Sequence, residues 1–467
     1  MKNVHRALVF TLATLSVPGL VHATNGYFLI GYGAKSLGMG GVGVALPQDS
    51  LAAASNPAGI SFLDTRVDLG MEFFNPPRRA GGGAADPVNY PTEFEFGSKF
   101  GPEGNKSGSN EFLIPSMGGI FKFNRKLTFG FAAVGAGSNT RYSHSQNFFS
   151  LTGKPPGADW GTLGVNLIQM QMLMTGAYKI APNQSVGASL DFAVQQFRAY
   201  GLGNFGGIFN FSSDIDHLTN QGNDWSYGAG LHLGWMGVFL DDRVNLGANY
   251  ASRTYMTRFR KYAGLFAQHG SFDIPEHYAL GIAVKATKKI TVAADIQRIM
   301  YHNIKSIGDT APTTSLQDLC TRPIGVAQSQ CSPGNTPQPA SNALGADNGF
   351  GFGWKNQTVY KLGADYKWDD RWTTRIGVNY GKTPIPKDQL LFNLIAPALT
   401  EVHITLGATY APNASSEINA FYTQGLKHAE VCAVNDGCKT MLTQAAGTYV
   451  AAELEIRTLG IGYSLKF

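Results

Sequence analysis

From Val67 to the last residue the chain alternates with a period of two. Thr358, Tyr360, Leu362, Ala364, Tyr366 and Trp368 alternate with Val359, Lys361, Gly363, Asp365 and Lys367. Trp372 to Tyr380 and Val402 to Tyr410 repeat the pattern, each with one apolar face and one small, polar or charged face. This is the signature of strands that separate two different surroundings. A soluble sandwich gives the same alternation. A barrel in a membrane adds aromatic girdles and short turns that alternate with long loops.

Both additions are present. Short turns are marked at Asn124-Arg125, Ala181-Pro182-Asn183, Leu240 to Asp242, Thr287-Lys288, Asp369-Asp370 and Pro412-Asn413. Long loops rich in Gly, Pro, Ser and Asn fall near 76–110, 138–163, 201–223, 263–272, 307–354, 384–398 and 429–447. Between them lie 14 strands: 63–75, 111–123, 126–137, 165–180, 184–200, 224–238, 243–261, 273–286, 289–306, 355–368, 371–383, 399–411, 415–428 and 448–467. Six short turns and seven long loops are what 14 antiparallel strands with both ends on one side require. The last strand ends Leu459, Ile461, Tyr463, Leu465, Phe467, but Val450, Ala452, Leu454 and Ile456 hold the opposite parity. That slip predicts either a bulge or the membrane boundary.

Composition narrows the setting. Only 15% of residues are charged, against about a quarter in soluble domains, and mean hydropathy is −0.09. No run of 18 or more uncharged apolar residues follows position 25, so helical spans are not expected. A net charge of +5 without a basic cluster argues against a nucleic-acid partner. Residues 1–23 carry Lys2 and Arg6, an apolar core from Ala7 to Leu15, and Val21-His22-Ala23, the form of a cleaved signal peptide. Export makes disulfides the expected state of the close pairs Cys320–Cys331 and Cys432–Cys438. Their spacings match no zinc site, so no metal is expected.

Residues 24–62 are different in kind: glycine-rich, with Lys35 and Asp49 as the sole charges. A 14-stranded barrel has a lumen too wide for its wall side chains to fill. This segment is suited to be its plug, because glycines let the chain turn in a narrow space and Tyr27, Phe28, Leu29 and Ile30 offer apolar surface. The expected fold is therefore all-β: a 14-stranded antiparallel transmembrane β-barrel, residues 63–467, with residues 24–62 as an N-terminal hatch inside the lumen.

Asn25-Gly26-Tyr27, Gly38-Met39-Gly40-Gly41 and Asn56-Pro57-Ala58-Gly59 resemble the FadL/TodX-type outer-membrane transporters of long-chain fatty acids and aromatic hydrocarbons. The resemblance implies a hatch anchored by Asn56, Pro57 and Ala58, and a bacterial outer-membrane location. It also implies capture of substrate at the outer loops and sideways exit through a gap at a kinked third strand. Gly130, Gly135 and Gly137 in strand 126–137 could permit that kink, although strand glycines also mark ordinary bulges.

Leu202, Phe205, Ile208, Phe209 and Phe211 crowd one long loop, and Leu265 and Phe266 could form an opposite wall. Such residues bind something or pack the loops into a cap. Lys361 and Arg375 point inward and are candidate partners for a fatty carboxylate; a mutually paired, wet lumen wall is the plainer reading. The expected activity is hatch-gated passive diffusion of hydrophobic compounds, with the membrane lipid and lipopolysaccharide as surroundings and no cofactor. A general hydrophilic porin is the alternative, disfavoured by the apolar plug. A barrel hydrolase is the lesser one: Ser143-His144-Ser145 and Glu276-His277 are sequential neighbours, which point to opposite faces of a strand. Nothing marks a trimer interface, so a monomer is expected.

Overall fold

The computed structural model describes residues 25–84, 106–142, 161–203, 211–313, 342–440 and 448–467. Their strands form one closed antiparallel sheet of 14 wall strands. In chain order these are β1 (Arg66–Asn75, continued by Arg78–Ala84), β2 (Phe112–Lys122), β3 (Leu127–Asn139), β4 (Gly164–Ala181) and β5 (Gln184–Tyr200). There follow β6 (Asp224–Phe239), β7 (Val244–Ala251, continued by Tyr255–Met256), β8 (His277–Lys285), β9 (Ile290–Ile299) and β10 (Gln357–Lys367). The wall ends with β11 (Trp372–Gly381), β12 (Val402–Asn413), β13 (Ser416–Ala433) and β14 (Thr448–Lys466). β14 closes the cylinder on β1, pairing Leu465 with Val67.

Several boundaries differ from expectation; β13, for one, runs on to Ala433 rather than ending at 428. The first strand does not stop at residue 75: beyond the break at Pro76-Pro77 it resumes and pairs with the upper part of β14. The two prolines supply no amide hydrogens, which interrupts the ladder without ending the strand. β7 breaks after Ala251 and ends at Met256, well short of residue 261. β9 ends at Ile299, and the chain then coils through a short helical turn, Tyr301–Asn303.

The outer face carries Leu69, Phe73, Met174, Leu190, Leu280, Leu362, Ile376, Leu406 and Ile461, all exposed. A belt of such side chains is tolerated only against lipid. Aromatics bound it: Trp368 and Trp372 flank one short turn, whereas Tyr360 and Tyr380 sit stacked 6.5 Å apart higher on the same strands.

On β14 the parity slip is chemical and leaves the strand geometry intact. Even-numbered residues from Val450 to Ser464 all face inward, and odd-numbered residues face outward. Below, the apolar side chains (Leu459, Ile461, Tyr463) face lipid; above, they (Val450, Leu454, Ile456) face the lumen, while Glu453, Glu455 and Arg457 point out. The slip is the membrane boundary. The one register shift nearby belongs to the partner β13, between Gly425 and His428.

Cys432, at the end of β13, is bonded to Cys438 across a turn, with Cα atoms 5.1 Å apart. Cys320, Cys331 and the segment 1–23 lie outside the described residues.

Candidate functional site

Residues 25–62 run through the lumen and are almost wholly buried. The wall meets them with glycines. A Cβ on Gly187 of β5 would lie 2.5 Å from Ala58 N, and one on Gly281 of β8 would lie 2.8 Å from Val44 Cβ. Gly247, Gly363, Gly377 and Gly407 make the same close approach on four further strands. Inward-facing polar side chains supply the bonds between these contacts. Asp295 accepts from Gly43 N (2.8 Å) and Val44 N (3.1 Å), Asp68 from Ser50 N (2.8 Å), and Thr405 from Gly40 N (2.7 Å).

Asn56 is the pivot of this seating. Its Nδ2 donates to Val44 O (2.7 Å) and to Trp235 O of the wall (3.0 Å), and its Oδ1 accepts from Ala58 N (3.1 Å). Pro57 then opens the short helix Pro57–Phe62 at a position where its missing N–H costs nothing. At the base, Lys35 meets Glu417 (2.5 Å), which also holds Lys466 (2.5 Å) and approaches Arg66 (3.5 Å). Glu417→Gln would strand the buried Lys35 ammonium, and losing one partner of such a pair typically costs about 3–5 kcal/mol. The expected result is faster tryptic cleavage after Lys35 in the folded protein. Unchanged protection would show that the ion pair does not hold the segment.

Above the lumenal segment the inward face of the wall turns apolar and lines a small chamber. Tyr27 forms its floor, Ser138, Val165, Leu167 and Phe197 its sides, and Phe266, Phe272, Phe352, Trp354, Ala396 and Ala398 its roof. Tyr27 packs against Tyr301 (5.7 Å between centroids) and Trp354 (6.2 Å), and Phe28 against Tyr301 (5.9 Å). Tyr301 OH donates to Asn25 O, and Gly26 both adopts φ 67 and leaves space that a Cβ would take from the Tyr301 ring. The Tyr27 hydroxyl is buried with no hydrogen-bond partner among the described residues. Among the described residues no charged side chain lines the chamber.

Beside the chamber the wall is incomplete. β3 pairs with β4 along its whole length without a register shift, but its pairing with β2 ends at Ala133 opposite Met117. Residues 112–116 of β2 and 134–139 of β3 therefore face each other without a ladder among the described residues, and Pro115 on that edge has no amide hydrogen to give. Gly135 and Gly137 lie along the gap; a Cβ on Gly135 would sit 3.5 Å from Ile114 Cγ2. Gly130 does not belong to it. That residue is paired on both sides and makes room for Ile60 of the lumenal segment. Past the gap, Tyr142 OH donates to Leu394 O (3.0 Å) and Thr140 Oγ1 to Ile395 O, tying the strand to the loop that roofs the chamber.

Among the loop residues singled out from sequence, Leu202, Leu265 and Phe266 line one second cavity, closed by Leu344, Phe352, Phe392 and Ile395. Phe211 is buried elsewhere, edge-on to Phe350 at 6.4 Å. Phe205, Ile208 and Phe209 lie outside the described residues, as do Ser143, His144 and Ser145. Neither cation lines the inner chamber or the outer loop cavity. Lys361 stands opposite Asp295 in the ladder, and Arg375 donates to Gln48 Oε1 (3.0 Å) and Thr409 Oγ1 (2.7 Å), both at the level of the lumenal segment. The structure gives no support to either as a carboxylate partner. Sequence reading missed Phe197, Phe272, Tyr301 and Trp354, and also the roof from Leu390 to Leu399. The run Leu390-Leu391-Phe392 inside a loop was the available signal.

Solved structures share this architecture. The toluene transporter TodX of P. putida aligns over 94% of this chain and 99% of its own, with a TM-score of 0.61 at 18% identity. The toluene transporter TbuX of Ralstonia pickettii gives 0.58 at 16% identity, and a Pseudomonas aeruginosa FadL homologue 0.62 at 15%, each over 94% of this chain and 99% of the other. Comparison with curated proteins found no match. Residues 20–467 match the family described as outer membrane protein transport protein (OMPP1/FadL/TodX). On that match over nearly its whole length, the chain belongs to this family of outer-membrane transporters for hydrophobic compounds.

Proposed function

We propose that the protein carries uncharged hydrophobic molecules from the cell exterior into the outer membrane, releasing them sideways through the gap between β2 and β3. The observation that carries this reading is an apolar chamber that no charged side chain lines among the described residues, set beside an unladdered stretch of wall and floored by Tyr27. Each buried CH₂ gains about 0.8 kcal/mol on entering such a chamber. An ionised carboxylate left there without a partner would cost far more than one methylene returns. A monoaromatic or alkane fits this chemistry, which agrees with the toluene transporters among the similar structures. Lateral release spares the cargo a second passage through water.

Asn56, Pro57 and Ala58 anchor the hatch in this scheme, and Tyr27, with Phe28 packed beside it, forms its substrate-facing end. Ile30 packs apart with Leu37 and Phe421, and Leu29 is not among the residues that line the chamber. Leu202, Leu265 and Phe266 belong to the outer capture site. Uptake by a deletion strain complemented with the gene tests the proposal. Toluene uptake is expected to depend on the protein, and oleate uptake is not. Oleate dependence without toluene dependence would overturn the choice of cargo.

A further inference from the structure

The inner chamber and the outer loop cavity share two lining residues, Phe266 and Phe352. These two rings stand on the boundary between the cavities. They are held very differently. Phe266 is 2% exposed and locked by Phe197 (4.7 Å), Phe272 (4.8 Å) and Phe259 (5.8 Å). Phe352 is half-buried, and its one ring contact among the described residues is Trp354 at 6.5 Å.

The backbone of Phe352 is nevertheless fixed. Its amide donates to Ser306 O (3.3 Å), and its carbonyl accepts from Asn393 Nδ2 (2.8 Å). Gly351 and Gly353 flank it, the latter at φ 71 against Gln389, so neither chain neighbour carries a side chain against the ring, which packs on the core from one side, only partly buried. A tethered backbone with a partly buried side chain changes rotamer more readily than Phe266, which is buried among three rings.

We infer that Phe352 is the gate between the two cavities, swinging against the fixed edge of Phe266, and that it sets the width of cargo admitted to the inner chamber. This rests on the proposed hydrocarbon transport. A flat ring or straight chain needs the Phe352 side chain displaced by little. A cage-shaped hydrocarbon needs it displaced fully, so thickness rather than hydrophobicity decides entry.

The test compares uptake of labelled toluene and labelled adamantane, both uncharged, by cells of a deletion strain carrying the full-length wild type, Phe352→Ala or Phe352→Leu. Heat-dependent gel mobility confirms that each barrel is folded. Phe352→Ala is expected to raise the adamantane-to-toluene uptake ratio at least about tenfold, the scale on which pocket size discriminates between apolar substrates. Phe352→Leu should fall between, and it carries the comparison if the alanine variant does not fold. A ratio that stays unchanged, or two rates that rise by the same factor, overturns the gate. Wild-type cells that take up toluene no faster than the deletion strain would instead overturn the transport reading itself.

Discussion

Gly234→Val is expected to unseat the lumenal segment while leaving the wall closed. A Cβ at this position of β6 would overlap Asn56 Oδ1 and lie 2.9 Å from Pro57 Cδ. The segment cannot shift slightly to relieve this, because Asn56 bonds at once to Val44, Ala58 and the wall carbonyl of Trp235. Overpacking alone costs about 1–3 kcal/mol, and each buried group left unpaired adds about 1–3 kcal/mol more. The β5–β6 and β6–β7 ladders use backbone groups that valine leaves in place. The variant should therefore fold, conduct ions across a planar bilayer and admit bulky hydrophilic antibiotics to cells. A folded variant that conducts no more than the wild type would show that this contact does not seat the plug.

Cross-linking the gap should stop transport without touching the chamber. Cysteines replacing Ile114 and Gly135 would face each other across β2 and β3, since a Cβ on Gly135 lies 3.5 Å from Ile114 Cγ2. A cysteine Sγ at position 114 takes the place of that Cγ2 methyl, which brings sulfur within reach of the second cysteine, and the exported location favours oxidation. In the double variant Ile114→Cys, Gly135→Cys, hydrocarbon uptake is expected to fall to the level of cells lacking the protein and to return on mild reduction. The wild type with the same reductant controls for Cys432–Cys438. Full uptake with the cross-link formed would mean that cargo leaves elsewhere.

The resemblance to a hatch-bearing family rested on three short motifs, and each falls at a contact with a clear physical purpose. Asn25-Gly26-Tyr27 meets Tyr301, Gly40 and Gly41 turn with φ 72 and 80, and Asn56 caps a helix while holding the wall. The chamber was legible only in part. On β14 the exchange of apolar parity between Ile456 and Leu459 announced it, because the apolar side chains move from the lipid face to the lumenal face at that height. Phe197 on β5 obeys the same rule but sits within one turn of Gln195 and Gln196, which hid it.

The sequence by itself determined the strand number, the antiparallel order and which face of each strand meets lipid. These follow from local alternation and turn spacing, and a one-residue slip would turn every side chain to the wrong solvent. Only the tertiary structure decided where the β2–β3 ladder lapses, which rings line the chamber and that Lys361 and Arg375 lie at the level of the lumenal segment. Those depend on contacts between segments hundreds of residues apart, and such contacts leave no periodic trace in the chain.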